Sequence, residues 1–214
     1  MKLPRLYAIA DAELLTARSL ALDGFVADLL TAGVRLVQYR NKQGSARQIV
    51  QDAARLRNLF SGTSARFILN DRADLARLTH CDGVHVGQDD LAVEDARSIV
   101  GPESWTGVST HTIEQVVEAD KTSCDYIAFG PIFSTASKHR PDPVVGLDGL
   151  RSARAMTRKP LVAIGGITRE NCRAVIDAGA DSVAVISGLL PANGQSNAIA
   201  REIAEEFLAI VAHS

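Results

Sequence analysis

The chain has 214 residues, of which 46% are hydrophobic and 22% are charged. This is the balance of a globular domain, and it excludes a disordered tail or a fibrous protein. Lysine and arginine number 23 against 25 aspartate and glutamate, and the net charge of −2 predicts no general nucleic-acid-binding surface. No apolar run reaches the roughly 20 residues that a membrane-spanning helix needs, so no membrane partner is expected.

The N-terminal charges and the cysteines indicate the cellular compartment. Asp11 and Glu13 interrupt the first apolar stretch too early for a secretory signal. Cys81, Cys124 and Cys172 are widely spaced and odd in number, which favours three reduced thiols over a disulfide framework or a zinc site. We therefore expect a single soluble, cytoplasmic domain over residues 1–214.

Eight short apolar runs rich in valine and isoleucine recur along the chain. They cover Leu6–Ala10, Arg35–Arg40, Arg66–Asn70, Gly83–Gly87, Trp105–Thr110, Asp125–Gly130, Leu161–Gly166 and Ser182–Gly188. Because these runs are continuously hydrophobic, they predict strands that are buried on both faces, as in a parallel sheet. The amphipathic segments between them predict helices, among them Ser45–Phe60, Val93–Val100, Thr112–Ala119, Leu147–Met156 and Arg169–Ala178.

The number of repeats predicts how the sheet closes. Dividing 214 residues among eight strand–helix units leaves about 27 residues for each unit. Eight such units favour a single-domain (β/α)₈ TIM barrel, and an open doubly wound sheet is the alternative. In a barrel the chemistry lies where the carboxyl ends of the strands meet the loops that follow.

The second predicted strand ends in cations. Gln38, Arg40 and Lys42 alternate with Tyr39 and Asn41, so the first three share one side of the strand and face the barrel mouth. An arginine fork beside a lysine point charge suits a diphosphate. A solvated strand end is the simpler interpretation of the same pattern in isolation.

Carboxylates follow the third and fourth strands. Asp71 comes directly after Asn70, and Asp89 and Asp90 come shortly after the fourth strand. Since neighbouring strands lie about 5 Å apart, Asp71 and one of the other two aspartates can share a Mg²⁺ ion. Each aspartate taken alone also suits a helix cap. Within the fourth strand, His85 is expected to be a hydrogen-bonded core residue rather than a base.

The last strands favour a second anion. The run Thr135–Lys138 offers hydroxyls and a cation after the sixth strand. Gly166 is expected to open a helix whose N-terminal amides attract phosphate, and Ser187 follows the eighth strand in a similar position. Barrels often bind phosphate with the loops after strands seven and eight. Two phosphorylated substrates that meet across one mouth imply group transfer.

Seven runs in register resemble the thiamine phosphate synthase family. They are VQYRNK, LNDR, DGVHVGQDDL, GVSTHT, DYIAFGPIF, AIGGIT and VAVISG, and they extend over nearly the whole chain. The resemblance implies a Mg²⁺-dependent transferase that condenses hydroxymethylpyrimidine diphosphate with thiazole phosphate. Thiamine phosphate and pyrophosphate would be the products, and the diphosphate would leave before the thiazole nitrogen attacks.

The resemblance also implies roles for individual residues. The pyrimidine diphosphate would be bound by Gln38, Tyr39, Arg40, Asn41, Lys42, Asn70, Ser109 and Lys138, with Arg40, Lys42, Ser109 and Lys138 as the catalytic residues. The thiazole phosphate would be bound by Thr135, Ala136, Ser137, Gly166, Ile186 and Ser187. The family's GQ-x-D pattern selects Asp90 over Asp89, so that Asp71 and Asp90 would bind Mg²⁺.

Two alternative functions are open to a barrel of this kind. One is a thiazole tautomerase of the same fold, and the other is a non-catalytic barrel that binds phosphorylated intermediates. Either would be expected to have lost part of the set Arg40, Lys42, Asp71, Asp90 and Lys138, all of which are present. The sequence leaves the choice between a monomer and a homodimer open.

Overall fold

A computed structural model of the chain describes residues 2–135, 143–192 and 198–212. In these ranges eight parallel strands close into a barrel in chain order. They are β1 (Leu6–Asp11), β2 (Leu36–Arg40), β3 (Arg66–Asn70), β4 (Gly83–Val86), β5 (Trp105–Thr110), β6 (Tyr126–Phe129), β7 (Leu161–Ile164) and β8 (Ser182–Val185). Because β8 pairs with β1, the predicted barrel is confirmed over the open sheet.

Helices surround the barrel. The described ranges hold α1 (Ala12–Ala17), α2 (Leu22–Thr31), α3 (Ala46–Leu59), α4 (Ala73–Leu78), α5 (Val93–Val100), α6 (Ile113–Lys121), α7 (Gly146–Met156), α8 (Cys172–Asp177) and α9 (Ala198–Ala212). There is one more helix than predicted, because both α1 and α2 follow β1. In this part of the chain no helix has both the length and the apolar character needed to cross a membrane.

One predicted helix is wrong at its start. The pattern indicated Arg169–Ala178, but α8 begins only at Cys172. The Asn171 side chain accepts a hydrogen bond from the Thr168 amide at 2.8 Å and donates one to the Gly166 carbonyl at 3.0 Å. These bonds hold a tight turn, because a short polar side chain competes with the helix for backbone groups.

The core consists of two apolar layers on opposite faces of the strands. The barrel interior is filled by Leu3, Tyr7, Ile9, Leu36, Ile68, Tyr126, Ala128, Val162 and Ala184. Alternate strand residues such as Val37 and Phe67 point outward and pack with helix residues such as Phe25 and Leu56. The burial of both faces explains why the strands read as continuous apolar runs.

Three aspartates repeat one arrangement at the amino ends of the strands. Asp82, Asp125 and Asp181 directly precede β4, β6 and β8. Each carboxylate accepts a hydrogen bond from a backbone N–H at the start of the strand before it, which is β3, β5 or β7. Each also pairs with an arginine of the helix that leads into that strand, which is α3, α5 or α7. The partners are Phe67 and Arg57, Thr106 and Arg97, and Leu161 and Arg154, respectively. This end of the barrel therefore ties helices to strands.

The buried cysteines give the first testable prediction. Burial raises the pKa of the Cys81 thiol to about 11 and also raises the pKa of Cys124 and Cys172. Since the thiolate is the reactive form, we expect the native protein to react with Ellman's reagent at pH 7.5 roughly 100-fold more slowly than free cysteine. After unfolding in guanidinium, three thiols per chain should titrate at once. Fast titration of the native protein would contradict the burial.

Candidate active site

The carboxyl ends of the strands surround one mouth. Two adjoining cavities lie there, one of about 1300 Å³ and the other of about 620 Å³, including space open to solvent. Both are lined by Ser109, His111, Ile164, Ala184 and Ile186. The cavities are therefore two halves of one site that share a wall, and we call them the larger and the smaller cavity.

Cations and an amide line the larger cavity from β2. Arg40 is the last residue of this strand, and its Nη1 donates to the Asp11 carboxylate at the end of β1. Lys42 Nζ lies 2.7 Å from Asp71 Oδ2. Gln38 and Asn70 line the same cavity, so the structure brings together the predicted polar residues of β2 and β3.

Two aspartates meet at the ends of β3 and β4. Asp71 adopts a left-handed backbone conformation with φ of 62°, and its amide donates to the His85 carbonyl at 2.7 Å. Its carboxyl group lies next to that of Asp90, and Asp90 Oδ2 also accepts the Gly87 amide at 2.8 Å. Asp89 is exposed. Of the two candidates left open by spacing, Asp90 is thus the one that contacts Asp71.

The pair of carboxyl groups is electrostatically uneven. Burial and the neighbouring Asp90 raise the pKa of Asp71 to about 6, whereas Lys42 acts to lower it. Burial also acts to raise the pKa of Asp90, but the hydrogen bonds from Asp71 and the Gly87 amide hold that pKa below its usual value. Asp71 is therefore the member of the pair that takes up a proton first as the pH falls to about 6, while Asp90 stays charged.

A chain of hydrogen bonds crosses the barrel interior beneath the mouth. Gln38 Nε2 donates to the Tyr7 hydroxyl at 2.7 Å, and the Tyr7 and Tyr126 hydroxyls are 2.9 Å apart. The Tyr126 hydroxyl lies 3.1 Å from His85 Nδ1, and His85 Nε2 lies 2.9 Å from Ser109 Oγ. The prediction that His85 is a hydrogen-bonded core residue is confirmed. This hydrogen-bond chain runs from Gln38 in the larger cavity to Ser109 in the wall that the two cavities share.

Gly107 leaves the space that the hydrogen-bond chain needs. Gly107 on β5 lies in register between His85 of β4 and Tyr126 of β6. A Cβ atom at Gly107 would overlap the Tyr126 ring, which instead leans across β5 and stacks on His85 with ring centroids 5.5 Å apart. Burial raises the pKa of Tyr126 and Tyr7 well above their usual value, so both hydroxyls stay protonated.

Two residues assigned by the resemblance have side chains that do not line the mouth. Tyr39 points outward from β2 and is fully buried, and its hydroxyl donates to Asp52 of α3 at 2.6 Å. Asn41 donates to the Tyr39 hydroxyl at 3.0 Å and accepts the Gly44 amide at 2.7 Å. Both side chains therefore point away from the cavity, as the alternation along β2 predicts.

The smaller cavity is lined mostly by apolar side chains, and a few backbone and hydroxyl groups interrupt them. Thr135, Gly166, Ile186 and Ser187 all belong to its wall. The φ of Gly166 is 64°, and a Cβ atom there would lie 2.5 Å from the Ser134 carbonyl oxygen. The expected helix N-terminus at this glycine is wrong, since α8 begins six residues later. Any anion here would meet the amides of a glycine turn instead.

Three predicted site residues are not described by the structure, and three residues of the site were not predicted. Ala136, Ser137 and Lys138, which the resemblance assigned to the two substrates, lie outside the described residues. Asp11 and the two tyrosines of the hydrogen-bond chain were not among the predicted site residues. Alternation along β1 would have indicated that the side chains of Tyr7, Ile9 and Asp11 all face the barrel interior.

Comparison with known proteins identifies relatives of the whole chain. A family model described as thiamine monophosphate synthase matches residues 6–189. The chain is 57% identical over 213 residues to the thiamine-phosphate synthase of Koribacter versatilis, and the match covers 99% of this chain and 97% of that protein. The thiamine-phosphate synthase of Methanosarcina barkeri is 40% identical over 186 residues, which are 86% of this chain and 84% of that protein.

A solved structure extends the similarity to three dimensions. The thiamine phosphate pyrophosphorylase from Pyrococcus furiosus superimposes with a TM-score of 0.84 and is 33% identical. The superposition covers 97% of this chain and 95% of that one.

The interior hydrogen-bond chain predicts coupled stability changes. Tyr7→Phe and Tyr126→Phe should each lower the free energy of unfolding by about 1–3 kcal/mol, because each leaves buried partners without a hydrogen bond. The double variant should lose less than the sum, since the two hydroxyls bond to each other. Urea denaturation measures all three values. Tyr39→Phe is the control, because the Tyr39 side chain lies on the outer face of β2, and its effect should add to that of Tyr126→Phe. Additive effects of Tyr7→Phe and Tyr126→Phe would contradict the hydrogen bond between these two hydroxyls.

Proposed function

The chain belongs to the thiamine monophosphate synthase family, and from this membership we propose that its mouth joins a hydroxymethylpyrimidine diphosphate to a thiazole phosphate. The products would be thiamine phosphate and pyrophosphate. As a member of this family the chain is a transferase of thiamine biosynthesis. The buried free cysteines support a reducing compartment, and we propose the cytoplasm.

The observation that carries the proposal is the contrast between two cavities that share a wall. The larger cavity holds Arg40, Lys42 and the aspartate pair, which suits a diphosphate with its counter-ion. The smaller cavity is mostly apolar and adds a glycine turn and hydroxyls, which suits an uncharged ring that carries a monophosphate. A reaction between two phosphorylated molecules needs this division, because each phosphate holds its substrate in place while the reacting atoms meet at the shared wall.

Four side chains of the larger cavity would hold the pyrimidine diphosphate. Arg40 offers further donors on the guanidinium edge that does not face Asp11, and the half-exposed Lys42 can move from Asp71 to a phosphate oxygen. Gln38 and Asn70 add neutral polar contacts beside them. Lys138 would add a further cation, as the resemblance implies.

The carboxylate pair fits Mg²⁺. Asp71 and Asp90 are in contact, and in the described ranges no third histidine, cysteine, aspartate or glutamate joins them in a metal-binding group. Mg²⁺ is commonly held by one or two carboxylates together with phosphate oxygens, so a donor set of this size suits a metal that arrives with a diphosphate. When bound, the ion would neutralise negative charge that develops on the departing diphosphate.

The thiazole phosphate would bind in the smaller cavity. Backbone amides at Gly166 and Ser187 and the hydroxyls of Thr135 and Ser187 are the donors that support this assignment. Ile186 supplies an apolar surface for the thiazole ring. Ala136 and Ser137 belong to the same proposed subsite through the resemblance.

The proposed reaction is a substitution in which the leaving group departs first. The bond between the pyrimidine methylene carbon and the diphosphate oxygen breaks, and its electron pair leaves with pyrophosphate. The thiazole nitrogen then donates its lone pair to the methylene carbon and forms the new carbon–nitrogen bond. Arg40 and Lys42 stabilise charge on the leaving group, and Ser109, held by His85, orients the pyrimidine at the shared wall.

The alternatives receive less support. The two sequence relatives reported above carry the synthase name, the solved structure is named a thiamine phosphate pyrophosphorylase, and none of the three is described as a tautomerase. A non-catalytic barrel would not need an aspartate pair beside Lys42, since two partly buried carboxyl groups held close together repel each other and the single charge of Lys42 balances only one of them.

Pyrophosphate release tests the proposed function. The purified protein should release pyrophosphate only when both phosphorylated substrates and Mg²⁺ are present. Asp90→Asn keeps the oxygen that accepts the Gly87 amide but removes the charge, and it should lower kcat/KM by at least about 100-fold. Asp89→Asn, the matched variant next to it, should retain activity near that of the wild type.

Three outcomes would count against this assignment. Release without the thiazole phosphate would indicate hydrolysis, and thiazole isomerisation without release would indicate the tautomerase. Equal losses in Asp89→Asn and Asp90→Asn would remove the reason for choosing Asp90.

A pair of glycine variants tests the smaller cavity. Gly166→Ala places a methyl group against the Ser134 carbonyl, and we expect the KM for thiazole phosphate to rise about tenfold while the KM for the diphosphate stays unchanged. Gly62→Ala is the control, because Gly62 also has a positive φ, of 74°, but an added Cβ would meet nothing within 4 Å. An equal rise in both KM values for Gly166→Ala would contradict a separate thiazole phosphate site.

A further inference from the structure

Asp11 divides its two carboxylate oxygens between two tasks. Oδ1 accepts the Leu14 amide at 3.0 Å and caps the N-terminus of α1. Oδ2 accepts Nη1 of Arg40. The side chain is buried, with the residue 3% exposed, so both bonds are shielded from water. A helix cap alone would need only one of these oxygens.

The register of the barrel fixes this contact. Asp11 ends β1, Arg40 ends β2, and the two residues are direct partners in the parallel pairing of these strands. Alternation along each strand turns both side chains toward the interior, next to Gln38 and the larger cavity. The ion pair is therefore built into the sheet and does not depend on a mobile loop.

The same turn also holds the next cation. Glu13, at the start of α1, accepts the backbone amides of Lys42 and Gln43 with one oxygen, at 3.1 Å each. The β1–α1 turn thus contacts the side chain of Arg40 and the backbone at Lys42 with two acidic residues. The β1–α1 turn therefore fixes both the Arg40 side chain and the backbone that carries Lys42.

We propose that Asp11 is a positioning residue that holds the Arg40 guanidinium so that its remaining N–H groups face the diphosphate. This inference rests on the proposed function, because it takes Arg40 to be a diphosphate ligand. An arginine side chain has several rotatable bonds, and ordering it before the substrate arrives lowers the entropic cost of binding. The negative charge of Asp11 repels an anion at this site, and the ordering of Arg40 offsets that cost.

The variant Asp11→Asn separates the two tasks. Asparagine is as good a helix cap as aspartate, so its oxygen can keep the Leu14 bond. Its amide nitrogen would then face Arg40 with N–H donors, which the guanidinium cannot accept. The variant therefore removes the brace on Arg40 while it leaves the cap in place.

The test is a double-variant cycle on binding of inorganic pyrophosphate with Mg²⁺, measured by titration calorimetry. Asp11→Asn should weaken binding about tenfold in the wild-type background, the size expected for releasing one long side chain. In an Arg40→Ala background the same substitution should have no effect, because Asp11 acts through Arg40. Asp82→Asn is the control, since Asp82 also accepts a backbone amide and an arginine but lies at the other end of the barrel.

The outcomes separate this inference from the proposed function. Equal weakening in both backgrounds, or none in the wild-type background, would overturn the role of Asp11. A wild-type protein that does not bind pyrophosphate would overturn it as well. Coupling between Asp11 and Arg40 in a protein that condenses no substrates would sustain the inference about Asp11 and refute the synthase reaction, whereas condensation without coupling would do the reverse.

Discussion

The closed register of the barrel is the constraint on which the rest of the structure depends. Each strand pairs with its neighbours in parallel, and β8 returns to β1, so no strand can shift by one residue without turning its side chains to the wrong layer. This register sets Asp11 beside Arg40 and Asn70 beside His85 at the mouth. The site is thus a property of the whole ring of hydrogen bonds rather than of any one loop.

The aspartates at the two ends of the barrel have different surroundings. At the amino ends, Asp82, Asp125 and Asp181 are each satisfied by a backbone amide and an arginine, an arrangement that joins helix to strand. At the carboxyl ends, Asp71 and Asp90 contact each other, and burial raises the pKa of Asp71. Like charges held together destabilise the folded chain, and a site that binds a cation and an anion together accounts for that cost.

The barrel interior combines a polar chain with an apolar layer. Tyr7 and Tyr126 belong to the interior apolar cluster, yet their hydroxyls connect Gln38 to His85. Buried polar groups are tolerated when each has a partner, and such groups then favour one arrangement of the core over others. The bare backbone of Gly107 is what lets an aromatic ring cross a strand to complete the chain.

The sequence by itself determined the barrel, most strand limits to within two residues, and the clustering of Arg40, Lys42, Asp71 and Asp90, because hydrophobic period and strand alternation are local properties of the chain. Spacing alone left open which aspartate contacts Asp71, and tertiary structure decided it. Tertiary structure also decided that the outward-facing Tyr39 meets α3 and that a turn held by Asn171 replaces a helix N-terminus. It also revealed the second task of Asp11, because a capping residue and a cross-strand ion pair look identical in one dimension. Contacts between strands depend on register, and register exists only once the ring has closed.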